Sequence, residues 1–307
     1  MRFLISQNRT HFQKIPTLLV LLMSLTSIAN DSIPPNEKNL RLPLTIAGTS
    51  TIAGSTLGGL YFLWYADYPS SGMHSFNDWD QYFQMDKAGH TMTTYSVAQV
   101  CHKTYHWAGL EDRKSLLVGT AMAMGFQTAI EVMDGFSAEW GFSWGDMGAN
   151  TLGAGLYAGQ HLLWEEQRVR LKFSFSRTIY PAYRPEVFGN GLREEILKDY
   201  NGQTYWLSWN PREFNLMQQW PKWLDISFGY GASGMTGGRE NIPTTPADDR
   251  FIRQRQYYFS FDIDLYDIPA KRNWFRVFRS AVGYIKFPAP TLLINQRTGV
   301  EFLPFYF

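Results

Sequence analysis

The sequence predicts an α+β protein in which a four-helix antiparallel bundle is followed by a small β-rich domain. Long stretches with few charges, each of helical length and joined by short linkers, fill residues 43–168. From residue 169 onward the chain instead shows alternating patterns rich in aromatic and β-branched side chains. We therefore expect a helical domain at 43–168 and a β-rich domain at 169–307.

Residues 1–29 have the features of a secretory signal peptide. Basic residues precede a mostly apolar run that ends at Ala29, and Ser27 and Ala29 occupy the −3 and −1 positions of a small-residue cleavage site. We expect cleavage after Ala29 and export to the periplasm or the outer membrane, with an uncleaved anchor as the alternative. Residues 30–42 are polar, contain proline and are expected to form a linker.

Four helices are predicted, at about residues 44–66, 87–109, 114–134 and 144–168. Ser143 and Asp146 form a start for the fourth helix that resembles a capping box, and Gly135 is expected to end the third. Small residues at 48–59 on the first helix and at 153–159 on the fourth predict that these two helices pack closely.

Charge placement argues against insertion of these helices into an inner membrane. The linkers at 67–86 and 134–146 are acidic and contain no Lys or Arg, whereas the basic residues lie on the opposite side of the helices. The positive-inside rule would place that basic side in the cytoplasm, but signal cleavage places the mature N-terminus, on the same side, outside. We therefore expect a bundle that is exported as a whole.

The second half is predicted to contain about six or seven strands and one short helix at 192–200. The predicted strands lie within 172–176, 223–232, 256–268, 275–287 and 299–307, and the predicted loops are 176–190 and 234–250. A terminal Phe307 is typical of the last strand of an outer-membrane barrel, but Pro304 and the low strand number oppose a closed barrel. We expect a small sheet packed on the bundle or on a membrane surface.

Antiparallel packing brings the start of the second helix, the end of the third and the start of the fourth to one end of the bundle. The polar residues expected to meet there are Asp86, Lys87, His90, Glu131, Asp134, Asp146 and Asn150, together with Gln127. Glu131 and Asp134 lie near a helix C-terminus, where an acid opposes the helix dipole. They require compensation, and Lys87 and protonated His90 are the nearest candidates.

This polar cluster is either a structural lock or a functional site. Asp86 and Asp146 are each explained as helix caps. As a metal site, His90, Glu131, Asp134 and Asp146 offer an imidazole and several carboxylates, which suit Mn, Fe or Zn. His90 beside a carboxylate could also act as a general base, although no Ser or Cys nucleophile is evident beside it.

The motifs DKAGH, EVMD and GFSWGDMGANTLGAGLY, in this order, resemble the YfiM-like family of predicted periplasmic lipoproteins, a domain of unknown function, over about residues 80–165. A more distant likeness is to the VanZ-like membrane family. The first resemblance implies an exported helical domain, and the long β-rich tail is similar to larger bacteroidete members. Its motif positions here are Asp86, Lys87, His90, Glu131, Asp134, Ser143, Trp144, Asp146, Asn150 and Gly153. The chain lacks a lipobox cysteine, so we do not expect a lipid anchor at the cleavage site.

Composition narrows the function further. The formal net charge is +1 and there is no phosphate-binding loop, so no nucleic-acid partner is expected. Cys101 is the only cysteine and cannot form an internal disulfide. His102 and His106 have a metal-compatible spacing, but without an evident acidic partner segment we favour surface or packing roles for them.

Together these observations predict an exported cell-envelope protein, associated with the outer membrane or a membrane surface, with a structural or interaction role. The alternative is an envelope enzyme or metal-binding protein that uses Asp86, His90, Glu131 and Asp146 on a lipid or a glycan. The sequence identifies no cofactor and no protein partner.

Overall fold

The protein is described here from a computed structural model, which covers residues 38–66, 68–242, 251–269 and 271–307. The predicted signal peptide, its cleavage site and residues 30–37 of the predicted linker lie outside these residues. Within them the chain is an α+β protein with seven α-helices and a six-stranded antiparallel sheet.

Four long helices come first: α1 (Lys38–Leu60), α2 (Met85–Trp107), α3 (Asp112–Gly135) and α4 (Trp144–Trp164). A π-helical turn, Tyr61–Tyr65, continues α1. The prediction of a linker up to residue 42 is wrong at its end, because α1 already begins at Lys38. Good helix formers such as leucine, arginine and lysine dominate 38–42, and Pro43 is accommodated inside the helix.

Helix α2 is the centre of the helical domain and packs along both α3 and α4, whereas α1 makes few contacts with this group. A methyl group at Gly153 on α4 would overlap the backbone carbonyl of Thr91 on α2. Gly48 on α1 and Gly159 on α4 have open space where a side chain would lie. The predicted close seam between the first and fourth helices is therefore wrong, because the tight glycine contact of α4 is with α2.

One helix among the described residues, α3, is long and apolar enough to cross a membrane by length and composition. Only 28% of its most apolar window is buried inside the protein. The core helix of a water-soluble protein can pass the same test, so this finding alone does not place α3 in a membrane.

The six strands are β1 (Val169–Phe175), β2 (Gln203–Trp209), β3 (Leu224–Ser233), β4 (Gln254–Ile263), β5 (Ala289–Asn295) and β6 (Gly299–Tyr306). They form one sheet in sequence order, each antiparallel to the next. Pro304 lies in β6 beside a register irregularity of the β5–β6 pair. A proline is tolerated there because it interrupts no regular ladder hydrogen bond.

Three short helices belong to the second half: α5 (Pro185–Phe188), α6 (Leu192–Lys198) and α7 (Asn273–Val282). Helix α6 confirms the predicted short helix. The strand predicted at 275–287 is wrong, because most of it is α7. Trp274, Phe275 and Phe278 recur at spacings of three and four residues, and their rings pack together on one helix face. Strands β2 and β5 were not predicted.

The inner face of the sheet is buried and carries both apolar and polar side chains, with Trp206, Tyr258 and Leu293 forming an apolar cluster on it. A row of hydroxyl side chains crosses it from Ser208 through Ser227 and Ser260 to Thr291, and all four are at most 1% exposed. Lys172 is equally buried and pairs with Asp262 at 2.5 Å. Hydrogen bonds and this ion pair compensate the burial of these polar groups.

The outer face of the same sheet is apolar. Register places Leu207, Phe228, Phe259, Leu292 and Phe302 side by side across β2 to β6. Helix α2 covers the β1–β2 end of this face, where Leu171, Phe173 and Tyr205 join the helical core. Beyond that cover the face is open: Phe228 is 49% exposed and Phe302 is 64% exposed.

A left-handed turn in the first half, just before α2, is in contact with the second half. Tyr82, Phe83 and Gln84, just before α2, all have positive φ angles, between 44° and 62°. Residues from the second half hold this turn. Tyr230 donates a hydrogen bond to the carbonyl of Phe83, and Arg255 binds Gln84 and lies over the ring of Phe83. The start of α2 is thus fixed by contacts with the sheet.

Candidate functional site

The polar residues predicted to meet at one end of the helices are brought together there, and we call them the buried cluster. The start of α2 supplies Asp86, Lys87 and His90, the end of α3 supplies Gln127, Glu131 and Asp134, and the start of α4 supplies Asp146 and Asn150. Their proximity follows from the packing of α2 against both neighbours. Glu131, Asp146 and Asn150 are at most 3% exposed.

Lys87 is the cation at the centre of the buried cluster. Its ammonium lies 2.7 Å from Asp78, 2.8 Å from Asp146 and 3.3 Å from Asp86. Burial by itself lowers the pKa of Lys87, but the charges of Asp86 and Asp146 outweigh it and hold the pKa above its ordinary value. Lys87 therefore carries a positive charge that offsets the surrounding carboxylates.

His90 lies between the amides and the acids. Its Nδ1 is 3.1 Å from Asn150 Oδ1 and 3.2 Å from Gln127 Nε2. The same nitrogen is 3.6 Å from Glu131 Oε1, while Nε2 is 3.8 Å from both Asp86 and Asp146. Burial alone lowers the pKa of His90, but these three carboxylates outweigh it, so the net shift is upward.

Glu131 is almost completely buried, and burial raises its pKa to about 8. Its Oε2 accepts a hydrogen bond from the backbone amide of Ser143, whereas its Oε1 has no hydrogen-bond partner within the described residues. A carboxyl with this pKa is mostly protonated at neutral pH. The proton neutralises the buried carboxyl, which lowers the cost of its burial.

Ser143 and Asp78 complete the start of α4. The Ser143 hydroxyl accepts a hydrogen bond from the backbone amide of Asp146, as the predicted cap requires, and donates one to Asp78. Asp78 in turn pairs with Lys87. The cap of α4 is therefore part of the same network as the start of α2.

Two tyrosines extend the buried cluster beyond the three helices. Tyr65, in the π-turn after α1, donates a hydrogen bond of 2.7 Å to Asp134, whose pKa burial raises to about 6. Tyr200, which follows α6, donates one of 2.7 Å to Asp86. Asp134 is thus compensated mainly by the hydrogen bond from Tyr65, and the charge of His90 adds to this. The cluster connects α1, the three packed helices and the second half.

The arrangement offers one compact set of metal-type ligands. Ligand atoms of Asp86, His90 and Asp146 lie within 4.8 Å of one another, whereas the predicted set combined His90 and Asp146 with Glu131 and Asp134. Lys87 contacts two of the three members, Asp86 and Asp146, and supplies positive charge at that place. For acid–base chemistry, the buried cluster offers the protonated carboxyl of Glu131 beside the ring of His90.

Sequence reasoning missed three residues of the buried cluster. Asp78 and Tyr65 lie in irregular or π-helical segments, and Tyr200 comes from the other half of the chain, so no helical spacing indicates them. It also missed Asp112, the first residue of α3, and His161 on α4, which pair with each other at the opposite end of the helices, where Asp112 also pairs with His102 on α2. The antiparallel argument that predicted the buried cluster would have indicated this second meeting point.

Comparison with known proteins gives one match. A family model described as "Predicted periplasmic lipoprotein (DUF2279)" matches residues 75–160. These residues contain the start of α2, the end of α3 and the start of α4, and therefore all the helix residues of the buried cluster. The match covers less than a third of the chain. No curated protein and no solved structure matches the sequence.

Proposed function

We propose that this protein is an exported cell-envelope protein that associates with the outer membrane through the open face of its sheet. The observation that carries the proposal is the polarity of that sheet. Its buried face contains ion pairs and hydroxyl groups beside the cluster of Trp206, Tyr258 and Leu293, and its open face is apolar. Water-soluble antiparallel sheets commonly have polar residues on the outer face. Strands that face outer-membrane lipid are apolar outside and polar inside.

The size and continuity of the open face favour lipid as its partner. Exposed apolar side chains occur on every strand from β2 to β6, including Leu207, Phe228, Phe261, Leu292 and Phe302. Contiguous apolar surfaces of this kind mark sites of interaction with a membrane or another protein. The family match to predicted periplasmic lipoproteins supports a place in the envelope.

In this proposal the buried cluster is a structural lock. It joins α2, α3 and α4 through Lys87 and His90, and its Asp86–Tyr200 hydrogen bond ties them to the second half. The lock holds the helices in a fixed position beside the open sheet face. The helical part is then an antiparallel bundle that presents surfaces to envelope partners.

Flotation with lipid vesicles tests the membrane proposal. Purified protein is mixed with vesicles of phosphatidylethanolamine and phosphatidylglycerol and centrifuged through a density gradient. We expect the wild type to float, and Phe228→Asp and Phe302→Asp to remain in the dense fraction. Leu117→Asp, at a 71% exposed position on α3, is the matched control and should still float.

Two results would contradict the proposal. In the first, the wild type stays in the dense fraction and light scattering shows a stable dimer that Phe228→Asp dissociates. The open face would then be an interface between two copies.

The second result concerns export. We expect N-terminal sequencing of protein from the envelope fraction to begin after Ala29. An intact N-terminus on protein from the inner membrane would argue against the exported form.

The alternative, an enzyme or metal-binding protein acting on an envelope lipid or glycan, draws on the compact set Asp86, His90 and Asp146. Lys87 weakens it as a metal site, because an ammonium already neutralises two of these carboxylates. His90→Gln discriminates between the two functions. If the alternative is right, the His90→Gln protein should remain folded and lose its cellular phenotype. If the buried cluster is a structural lock, the His90→Gln protein should be less stable than the wild type.

A further inference from the structure

The end of the helical domain opposite the buried cluster carries a second group of ionisable side chains, which we call the open cluster. It consists of His102 near the end of α2, Asp112 at the start of α3 and His161 near the end of α4. His102 Nε2 is 3.1 Å from one oxygen of Asp112, and His161 Nε2 is 2.7 Å from the other. All three ligand atoms lie within 4.8 Å of one another.

We propose that the open cluster binds a divalent transition-metal ion of the Zn²⁺ type through His102, Asp112 and His161. Two imidazoles and one carboxylate, with a further coordination position left open, form a known ligand set of zinc sites in proteins. Metal–ligand bonds of about 2.0–2.2 Å place neighbouring ligand atoms of a tetrahedron about 3.3 Å apart. The observed nitrogen–oxygen separations, 3.1 Å and 2.7 Å, are hydrogen-bond distances shorter than that value. Binding therefore requires loss of the bridging protons and an outward movement of the half-exposed Asp112.

The surroundings of His102 hold its ring in position. Its Nδ1 lies 2.7 Å from the hydroxyl of the buried Tyr157. Without an ion, Nε2–H donates to Asp112 and the Tyr157 hydroxyl donates to Nδ1. Metal binding requires Nε2 to lose its proton, and Nδ1–H would then donate to the Tyr157 oxygen, the kind of partner that metal-binding histidines commonly have. Tyr157 can serve both tautomers, so it orients the ring without itself being a ligand.

A cavity gives the site access to solvent. It has a volume of about 280 Å³ and is lined by all three residues of the open cluster together with Tyr157, His106 and Arg170. Asp112 is half exposed, and its ion pairs in the described part of the chain are with histidines alone. No lysine or arginine there neutralises its carboxylate by direct pairing, in contrast to the carboxylates around Lys87. The cavity leaves the fourth coordination position open to water or to a small ligand.

Zinc titration of the protein without a polyhistidine tag tests the site. After chelator treatment, we expect calorimetry to show one equivalent of Zn²⁺ bound, and Co²⁺ to give the intense visible absorption of a tetrahedral site. Asp112→Asn and His161→Gln should each weaken Zn²⁺ binding by more than about tenfold, the lower bound for losing an outer-shell partner. Asp112→Asn preserves the shape of the half-exposed side chain, so the fold should persist.

His74→Gln is the matched control, because it changes an exposed histidine outside both clusters. It should still bind one equivalent of Zn²⁺ with unchanged affinity. If the wild type binds no Zn²⁺ at micromolar concentration, the proposal is wrong. It is equally wrong if Asp112→Asn binds as tightly as the wild type.

Discussion

The two ends of the helical domain carry polar clusters built in the same way but with opposite properties. Each combines residues from α2, α3 and α4, and each centres on an acid–histidine contact. In the buried cluster Glu131 is 1% exposed, and burial raises its pKa to about 8. In the open cluster Asp112 is half exposed, and its hydrogen bond from His161 is the main cause that lowers its pKa.

The difference lies in the source of the positive charge. The buried cluster contains its own cation, Lys87, which contacts three carboxylates. The carboxylate of the open cluster pairs with histidines alone among the described residues. Helix packing can therefore bring ionisable residues together without deciding their role. In the buried cluster the ammonium of Lys87 neutralises the carboxylates. In the open cluster the Asp112 carboxylate is not paired directly with a lysine or arginine of the described residues, and it is there that we propose a bound metal cation.

The largest expected effect is at Lys87. Lys87→Met leaves buried carboxylates without their cation, and we expect the free energy of unfolding to fall by about 3–5 kcal/mol. Lys114→Met is the control, because Lys114 pairs with Glu111 on an exposed surface, and it should change stability by less than about 1 kcal/mol. Urea unfolding measures both. Equal, small effects would contradict a lock at the buried end.

The next effect compares two glycines of α4: Gly153, which lies tightly against α2, and Gly159, which has open space around it. Gly153→Ala forces a methyl group against the backbone of Thr91 beside the buried cluster, and should cost about 1–3 kcal/mol. Gly159→Ala, on the same helix near the open cluster, meets open space and should be neutral or slightly stabilising. Thermal unfolding of the two variants compares the ends directly. A stable Gly153→Ala variant would mean that α2 and α4 separate easily.

A double-mutant cycle measures coupling inside the buried cluster. His90→Ala and Glu131→Ala should each destabilise the protein, and their effects should depart from additivity by about 1–2 kcal/mol, because the two groups share buried partners. His74→Ala combined with Glu131→Ala is the control pair, and should be additive within about 0.5 kcal/mol. Additive effects for His90 and Glu131 would show that the two side chains act independently.

A further prediction concerns the pH dependence of stability. A carboxyl whose pKa rises on folding binds its proton more tightly in the folded state, so its contribution is present at low pH and lost as the pH rises. For Glu131 the window runs from its ordinary value of 4.5 up to about 8. Glu131→Gln should remove its share of this decline, up to about 1.4 kcal/mol for each pH unit within the window.

Unfolding at pH 5, 6.5 and 8 checks this prediction. His90, Asp134 and Asp146 act on Glu131 and should still titrate in the variant. His90 contributes in the same direction, since its pKa is also raised, so Glu131→Gln should flatten the decline without abolishing it. An unchanged slope would show that Glu131 is ionised in the folded protein at neutral pH.

Helical spacing and antiparallel packing were enough to predict the residues of the buried cluster, because Asp86, Glu131 and Asp146 lie near helix ends that must meet. The same reasoning could not indicate Asp78 or Tyr200, whose positions depend on irregular segments and on the second half of the chain. It also misplaced the glycine contact, since a small residue permits close approach but does not identify the partner helix.

The second half was harder to predict because short aromatic segments fit either regular structure. Residues 275–287 carry aromatic residues that suit a strand, yet most of them form α7, where Trp274 and Phe278 lie one turn apart. The apolar character of the exposed sheet face was also not predicted. Alternation in a strand such as β3 shows that its two faces differ, but it does not say which face is buried.

The left-handed turn at Tyr82–Gln84 has a consequence for cooperativity. Left-handed conformations cost about 1–2 kcal/mol for each non-glycine residue, so this turn would not persist in an isolated helical fragment. Tyr230 and Arg255 hold it, and it sets the first turn of α2, where Asp86 and Lys87 begin the buried cluster. We therefore expect the start of α2, and with it the geometry of the buried cluster, to depend on contacts with the folded sheet. The two halves differ in pattern and in secondary structure, but this junction should couple their folding.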